Sequence, residues 1–272
     1  MEWGISTFTY PWAFGISGYP PKKVLTLPEF IEKALSLDAR IVQIAHNVPL
    51  DKASPEELEL LRVLTQKNHI AVELGTIGIR KELLLKYLEL AEFFGSRLVR
   101  TILDEPGKEI SLEESIERIQ EVLPLFAAKG IFLAIENHDR RTKEELRALF
   151  ARVSHPYLRF CFDTANSLGA FEDPHQVLYE LFPYTINVHL KDVEVFRPPY
   201  GLGFIIEGRP LGKGKLGIDW VFETLANVQG VTYIIELLTP FSSSVEETIR
   251  REEGWAYESA QFLKKFKGGT KT

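Results

Sequence analysis

Short apolar, β-branched runs alternate with longer amphipathic stretches from one end of the chain to the other, the pattern of repeated strand–helix units. The apolar runs predict strands over 3–8, 40–45, 70–74, 97–102, 130–136, 157–163, 185–190 and 231–237. The amphipathic stretches predict helices over 27–37, 55–67, 79–94, 111–129, 142–152, 174–182, 218–228 and 245–266. Ser54-Pro55-Glu56-Glu57 puts a capping hydroxyl ahead of a proline, with acids in the first turn where the helix dipole favours them. Ser111 to Glu114 and Thr142 to Glu145 have the spacing of a capping box, and Gly95 and Gly130 stand where two helices should end.

Strands that are apolar throughout, instead of alternating, are covered on both faces, as in a parallel sheet joined by right-handed crossovers. Eight such units in 272 residues match the ~250 residues of a (β/α)8 barrel. The fold class is therefore α/β, a single TIM barrel over residues 1–267, with 268–272 expected as a disordered C-terminal tail. An open doubly wound sheet is disfavoured, because the first strand–helix junction, Tyr10-Pro11-Trp12-Ala13-Phe14-Gly15, lacks the glycine fingerprint of a pyrophosphate site. Two long loops, 9–26 and 191–217, follow strands on the face where barrels build active sites and are expected to be pocket walls.

Composition narrows the partners. Acids outnumber bases 38 to 32, for a net charge of −6, which lacks the basic footprint of a nucleic-acid binder and suits a small-molecule enzyme. One cysteine, Cys161, forms no intrachain disulfide, so a reducing cytoplasm is the expected location. The opening MEWGISTFTY has neither a basic nor an apolar leader region. No run approaches the roughly 18 apolar residues of a membrane span, so no membrane partner is expected.

The chemistry sits where four apolar strands end. Glu136 follows Ile131 to Ile135, Asp163 follows Phe160-Cys161-Phe162, His189 follows Ile186-Asn187-Val188, and Glu236 follows Tyr233-Ile234-Ile235. Three buried carboxylates converging from neighbouring strands repel one another unless something positive sits among them. Three carboxylates and an imidazole suit one hard divalent ion, Mn2+, Mg2+ or Co2+, with Zn2+ also compatible. An isolated strand-end acid is as often a helix cap, and an isolated histidine is more often a core residue than a ligand. Four in succession, at 27, 26 and 47 residues apart, favour the metal centre.

The runs Ile135-Glu136-Asn137-His138, Cys161-Phe162-Asp163-Thr164-Ala165-Asn166, Val188-His189-Leu190-Lys191-Asp192, Leu211-Gly212-Lys213-Gly214 before Ile218-Asp219-Trp220, and Ile235-Glu236 resemble the xylose-isomerase-like TIM-barrel superfamily, in the order of its sugar isomerases and epimerases. The resemblance implies an isomerase or epimerase with a metal held by Glu136, Asp163, His189 and Glu236 and a ketose or polyol as substrate. One of Glu136 and Glu236 would remove a proton beside the carbonyl, through a cis-enediolate stabilised by the metal. An inosose-type dehydratase on the same site is the alternative, and a homo-oligomer, dimer or tetramer, is expected from relatives. Many relatives read Asp-Thr-Xaa-His, where this chain has Asn166; an amide binds a hydroxyl but does not shuttle a proton.

The same superfamily holds endonuclease IV, but its three-zinc cluster cannot be assembled here, since the fourth strand ends Arg100-Thr101-Ile102-Leu103 and position 166 is Asn. A barrel that only binds sugar is disfavoured by the intact Glu136 and Glu236 pair. His46, Glu73 and His138 are expected at strand ends as substrate contacts or supports for a metal ligand. Lys191 either binds a substrate oxygen or pairs with Asp192, and Trp12 and Asn166 complete the substrate-contact candidates, Trp12 by stacking on a sugar face.

Overall fold

The computed structural model describes residues 1–267; the tail expected over 268–272 lies outside them. Eight parallel strands close a barrel in the order β1 (Glu2–Ser6), β2 (Ile41–Ile44), β3 (Ala71–Gly75), β4 (Leu98–Thr101), β5 (Phe132–Glu136), β6 (Leu158–Asp163), β7 (Thr185–Leu190) and β10 (Thr232–Ile235), which returns to β1. All eight lie within the predicted runs or one residue beyond them. Apolar side chains on both faces explain that agreement, since each strand buries one face in the barrel and the other under helices.

The outer layer is α2 (Leu27–Ser36), α3 (Pro55–Lys67), α4 (Lys81–Phe94), α5 (Leu112–Ala128), α6 (Lys143–Val153), α7 (Pro174–Leu181), α8 (Asp219–Thr224) and α9 (Val245–Lys267). Reciprocal capping boxes start α3, through Ser54 and Glu57, and α6, through Thr142 and Glu145. Ser111 caps α5 by accepting from Glu114 N–H, but no bond returns from the Glu114 side chain, so only half of the expected box forms. Gly95 ends α4 in the left-handed region at φ 67°, as its place in the sequence predicts.

The two long loops contain structure that alternation does not reveal. The first carries a one-turn helix, α1 (Pro11–Phe14), and the second an antiparallel hairpin of β8 (Asp192–Phe196) and β9 (Ile205–Arg209). Asp192 anchors the second loop. Its Oδ2 accepts from Gly212 N (3.0 Å) and Gly214 N (2.9 Å), and its Oδ1 from Val193 N (2.9 Å) and Leu216 N (3.2 Å). A Cβ at Gly214 would fall 2.1 Å from Asp192 Oδ1, so the second glycine of Leu211-Gly212-Lys213-Gly214 is required by that close approach. No helix among the described residues is long and apolar enough to cross a membrane.

Candidate functional site

Side chains alternate across a strand, so residues two apart share a face. Asn187 and His189, Cys161 and Asp163, and Thr232 and Glu236 accordingly reach the barrel interior at two levels, one midway and one at the mouth. At the mouth Glu136, Asp163, His189 and Glu236 meet, as the sequence anticipates. His189 Nδ1 lies 3.3 Å from Glu136 Oε1, 3.6 Å from Glu236 Oε1 and 3.8 Å from Asp163 Oδ2. All four are buried.

Local hydrogen bonds decide which oxygens remain available. Asp163 Oδ1 accepts from the backbone N–H groups of Ala165 (2.9 Å) and Asn166 (3.0 Å), which leaves Oδ2 facing the cluster. Asn137 holds the strand end by accepting from Asp163 N (2.7 Å) and donating to Asp163 O (2.9 Å). Glu136 Oε1 accepts from Asn166 Nδ2 (3.1 Å). Asp163 Oδ2, Glu236 Oε1 and Glu136 Oε2 are buried oxygens without a hydrogen-bond donor. Asp163, His189 and Glu236 each offer one ligand atom within 4.8 Å of the others, and Glu136, Cys161 and His189 do the same. Orphaned acceptors converging on one ring nitrogen fit a hard divalent cation.

Two fixed cations also face the cluster, and neither was among the ligands proposed from sequence. Arg100, buried at the end of β4, brings Nε to 3.1 Å from Glu136 Oε2. Lys191, one residue past β7, places Nζ 2.5 Å from Asp163 Oδ2 and 3.1 Å from Glu236 Oε2. Both are ion pairs; neither contact has the alignment of a hydrogen bond at the acid's orphaned oxygen. Lys191 therefore does not pair with Asp192, whose carboxylate is consumed by the loop it anchors. Burial works to raise Glu136 and Glu236, but Arg100 and His189 on the first, and His189 and Lys191 on the second, hold both below the usual carboxylate range. Asp163 goes the other way, pushed up by burial and by the two glutamates. With His189 neutral and all three acids ionised, the two fixed cations leave one negative charge, which a divalent ion would turn into one positive.

The cavity above the cluster has a volume of about 290 Å3, near the lower end of the usual range for ligand pockets, and holds a sugar-sized molecule. His46, Arg100, Glu136, His138, Asn166, Lys191 and Glu236 line it. Burial and the neighbouring Arg100 push His46 down to about 4, so that ring is neutral and packs against Phe8 at 5.0 Å. Lys191 Nζ also donates to Asn166 Oδ1 (3.4 Å), so the Asn166 amide bridges Lys191 and Glu136.

Two expected contacts and the expected pocket walls lie elsewhere. Trp12 is outside the cavity: its Nε1 donates to Thr239 O (2.8 Å), its ring packs on Tyr19 and Phe241, and Glu252 accepts its backbone N–H (3.1 Å). It pins the first loop instead of meeting a sugar. Glu73 is third in the five-residue β3, so its carboxylate points into the middle of the barrel, below the cavity. Apart from Lys191, neither long loop contributes to the cavity lining, which comes from strand ends. Sequence reading missed Gln43 and Arg100, although each is the one strongly polar residue in an apolar strand, Ile-Val-Gln-Ile and Leu-Val-Arg-Thr.

Residues 31–266 match the family described as Xylose isomerase-like TIM barrel, and the chain belongs to it. It is 30% identical over 264 residues, 97% of this chain and 95% of the other, to a 3-oxo-isoapionate decarboxylase of Pectobacterium atrosepticum. Among solved structures, D-psicose 3-epimerase with D-tagatose from Clostridium cellulolyticum H10 superposes with a TM-score of 0.72 at 17% identity, over 98% of this chain and 99% of that one. A Xylose isomerase-like TIM barrel protein from Mycobacterium smegmatis in complex with magnesium gives 0.65 at 16% identity, over 87% and 89%. At these identities the two structures speak for the fold.

Proposed function

We propose that this family member decarboxylates a small 3-oxo sugar acid, with Glu136, Asp163, His189 and Glu236 holding one divalent ion. Mn2+, Mg2+ or Co2+ fits that oxygen-rich set. The observation that carries the proposal is Arg100, a buried guanidinium on the cavity wall beside Lys191. A neutral ketose needs no such wall, whereas a carboxylate recruits an arginine fork and closes the charge balance of the loaded site. The near-full-length relative named for a 3-oxo acid supports the same substrate class.

When bound, the ion supplies Lewis acidity at the ketone oxygen. Arg100 binds and orients the carboxylate. The bond between the carboxylate carbon and its neighbour breaks, carbon dioxide leaves, and the electron pair becomes an enediolate. Lys191 Nζ returns a proton to the carbon that lost carbon dioxide. His46, neutral and half walled by Phe8, and His138 take hydroxyl groups of the sugar. Asn166 fixes Glu136 and Lys191 relative to each other.

A second reading, isomerase or epimerase, rests on Glu136 and Glu236 both facing His189 Nδ1, at 3.3 and 3.6 Å. It shares the enediolate and differs in what leaves, a proton taken by a glutamate in place of carbon dioxide. Incubation with 3-oxo sugar acids and neutral ketoses, with Mn2+ in D2O, separates the two. Decarboxylation gives carbon dioxide with one deuterium gained at carbon, and Arg100→Met raises KM for the acid at least tenfold. Deuterium exchange into a ketose with no carbon dioxide from any acid would replace the first reading with the second.

A further inference from the structure

Below the metal-binding level the barrel holds a set of polar side chains that no step above uses. Glu73 Oε2 accepts from Gln43 Nε2 (3.2 Å) and Asn187 Nδ2 (3.0 Å), and Glu73 Oε1 accepts from Thr232 Oγ1 (2.8 Å). Gln43 Nε2 also donates to Asn187 Oδ1 (3.0 Å), and Gln43 Oε1 lies 2.8 Å from His189 Nε2. All are buried.

The direction of these bonds follows from the acceptors around Gln43. Asn187 Oδ1, which can only accept, and Glu73 Oε2 face the same end of Gln43, so Gln43 must turn its amide nitrogen towards them. Its carbonyl then faces His189, and the partner of a carbonyl must be an N–H. His189 is therefore protonated at Nε2, and the nitrogen facing the three carboxylates, Nδ1, is the one that can carry a free lone pair. A flipped Gln43 would put an NH2 against Nε2 and favour the opposite tautomer, with a proton on the side of the cluster.

We infer that Glu73 and Gln43 are positioning residues that set the tautomer of His189 through a carboxylate–amide–imidazole relay. The inference rests on His189 being a ligand in the proposed site, since a metal-bound histidine is oriented by the partner of its other nitrogen and loss of that partner costs 10–100-fold in ion affinity. It also gives Glu73 a role other than substrate contact.

The test combines histidine side-chain NMR with Mn2+ calorimetry. In the parent protein, His189 shows an Nε2–H proton protected from exchange, assigned by its loss in His189→Ala. Gln43→Met, which removes the acceptor and keeps an apolar shape, abolishes that protection and weakens Mn2+ binding by about 10–100-fold. Glu73→Leu, which frees the amide to turn, does the same. The pair Glu73→Gln with Gln43→Glu restores both within about threefold, because a carboxylate at 43 accepts in either orientation; a merely structural role for Glu73 predicts no such rescue. Unchanged Mn2+ affinity and unchanged Nε2–H protection in folded Gln43→Met would overturn the relay while the metal reading stood. Should Glu73→Leu fail to fold, absence of rescue in the pair would overturn the part played by Glu73. A parent that binds no Mn2+ yet keeps a protected Nε2–H sensitive to Gln43→Met would retain the relay and remove the metal.

Discussion

Two layers of the same barrel treat a buried carboxylate in opposite ways. In the middle layer Glu73 takes hydrogen bonds on both oxygens, from Gln43, Asn187 and Thr232. At the mouth, Glu136, Asp163 and Glu236 each keep one oxygen without a hydrogen bond, beside the charges of Arg100 and Lys191. A satisfied polar group stabilises a fold, and an unsatisfied one costs of order 1–3 kcal/mol and marks a place kept ready for something else. The middle layer thus reads as structure and orientation, the mouth as binding.

That contrast can be broken in four ways, in descending size of effect. Glu236→Gln, which removes a ligand of the ion, is expected to lower turnover by about 10²–10⁴-fold while the unfolding temperature stays within a few degrees. Loss of the fold in that variant would place Glu236 with the structural layer. Glu73→Ala is expected to cost about 3–5 kcal/mol, because it orphans three donors and leaves a cavity. For a chain of this size that is roughly a 10 °C drop in unfolding temperature. A drop larger for Glu236→Gln than for Glu73→Ala would reverse the contrast.

Adding Mn2+ at about a hundred times its dissociation constant should stabilise the folded protein by about 2.7 kcal/mol, read as a rise of several degrees that a chelator removes. Asp163→Asn should erase most of that rise, and Thr232→Val should not. The smallest effect belongs to a buried acid outside both layers, Glu252, which clasps the N–H groups of Trp12 and Ala13 on the first loop. Burial pushes it from 4.5 up to about 8, with Glu253 adding and Lys33 opposing. Between those values the folded chain keeps a proton that the unfolded chain has released, so its contribution to stability is full below 4.5 and is lost as pH rises through 8. The unfolding temperature of Glu252→Gln relative to the parent should therefore climb from pH 5 to pH 8. A difference that does not vary with pH would mean Glu252 titrates normally.

The sequence made the barrel legible because a parallel barrel demands apolar runs at regular spacing, and helix caps such as Ser54 and Thr142 punctuate them. Glu136, Asp163, His189 and Glu236 were legible as charged ends on those runs. Arg100 and Gln43 were not, because a polar residue inside a run reads as an interruption until pairing shows which way it points. Register supplies that direction: Gln43 lies level with Glu73, and Asn187 with Thr232. The hairpin of β8 and β9 stayed hidden for another reason. Its strands, Asp192–Phe196 and Ile205–Arg209, mix charges and a glycine with the apolar residues, and its far end, Tyr200 to Phe204, is exposed and glycine-rich, so it has the composition of a loop.

The Asp192 anchor has a consequence for how such a barrel can change. It closes the chain on itself between Asp192 and Leu216, so the 20 or so residues in between are tied off immediately beyond Lys191. Insertions at the hairpin tip, or its replacement by another loop, therefore need not move the lysine. The mouth of the barrel carries a detachable module, and new recognition surfaces can be grafted there while the strand ends underneath stay unchanged.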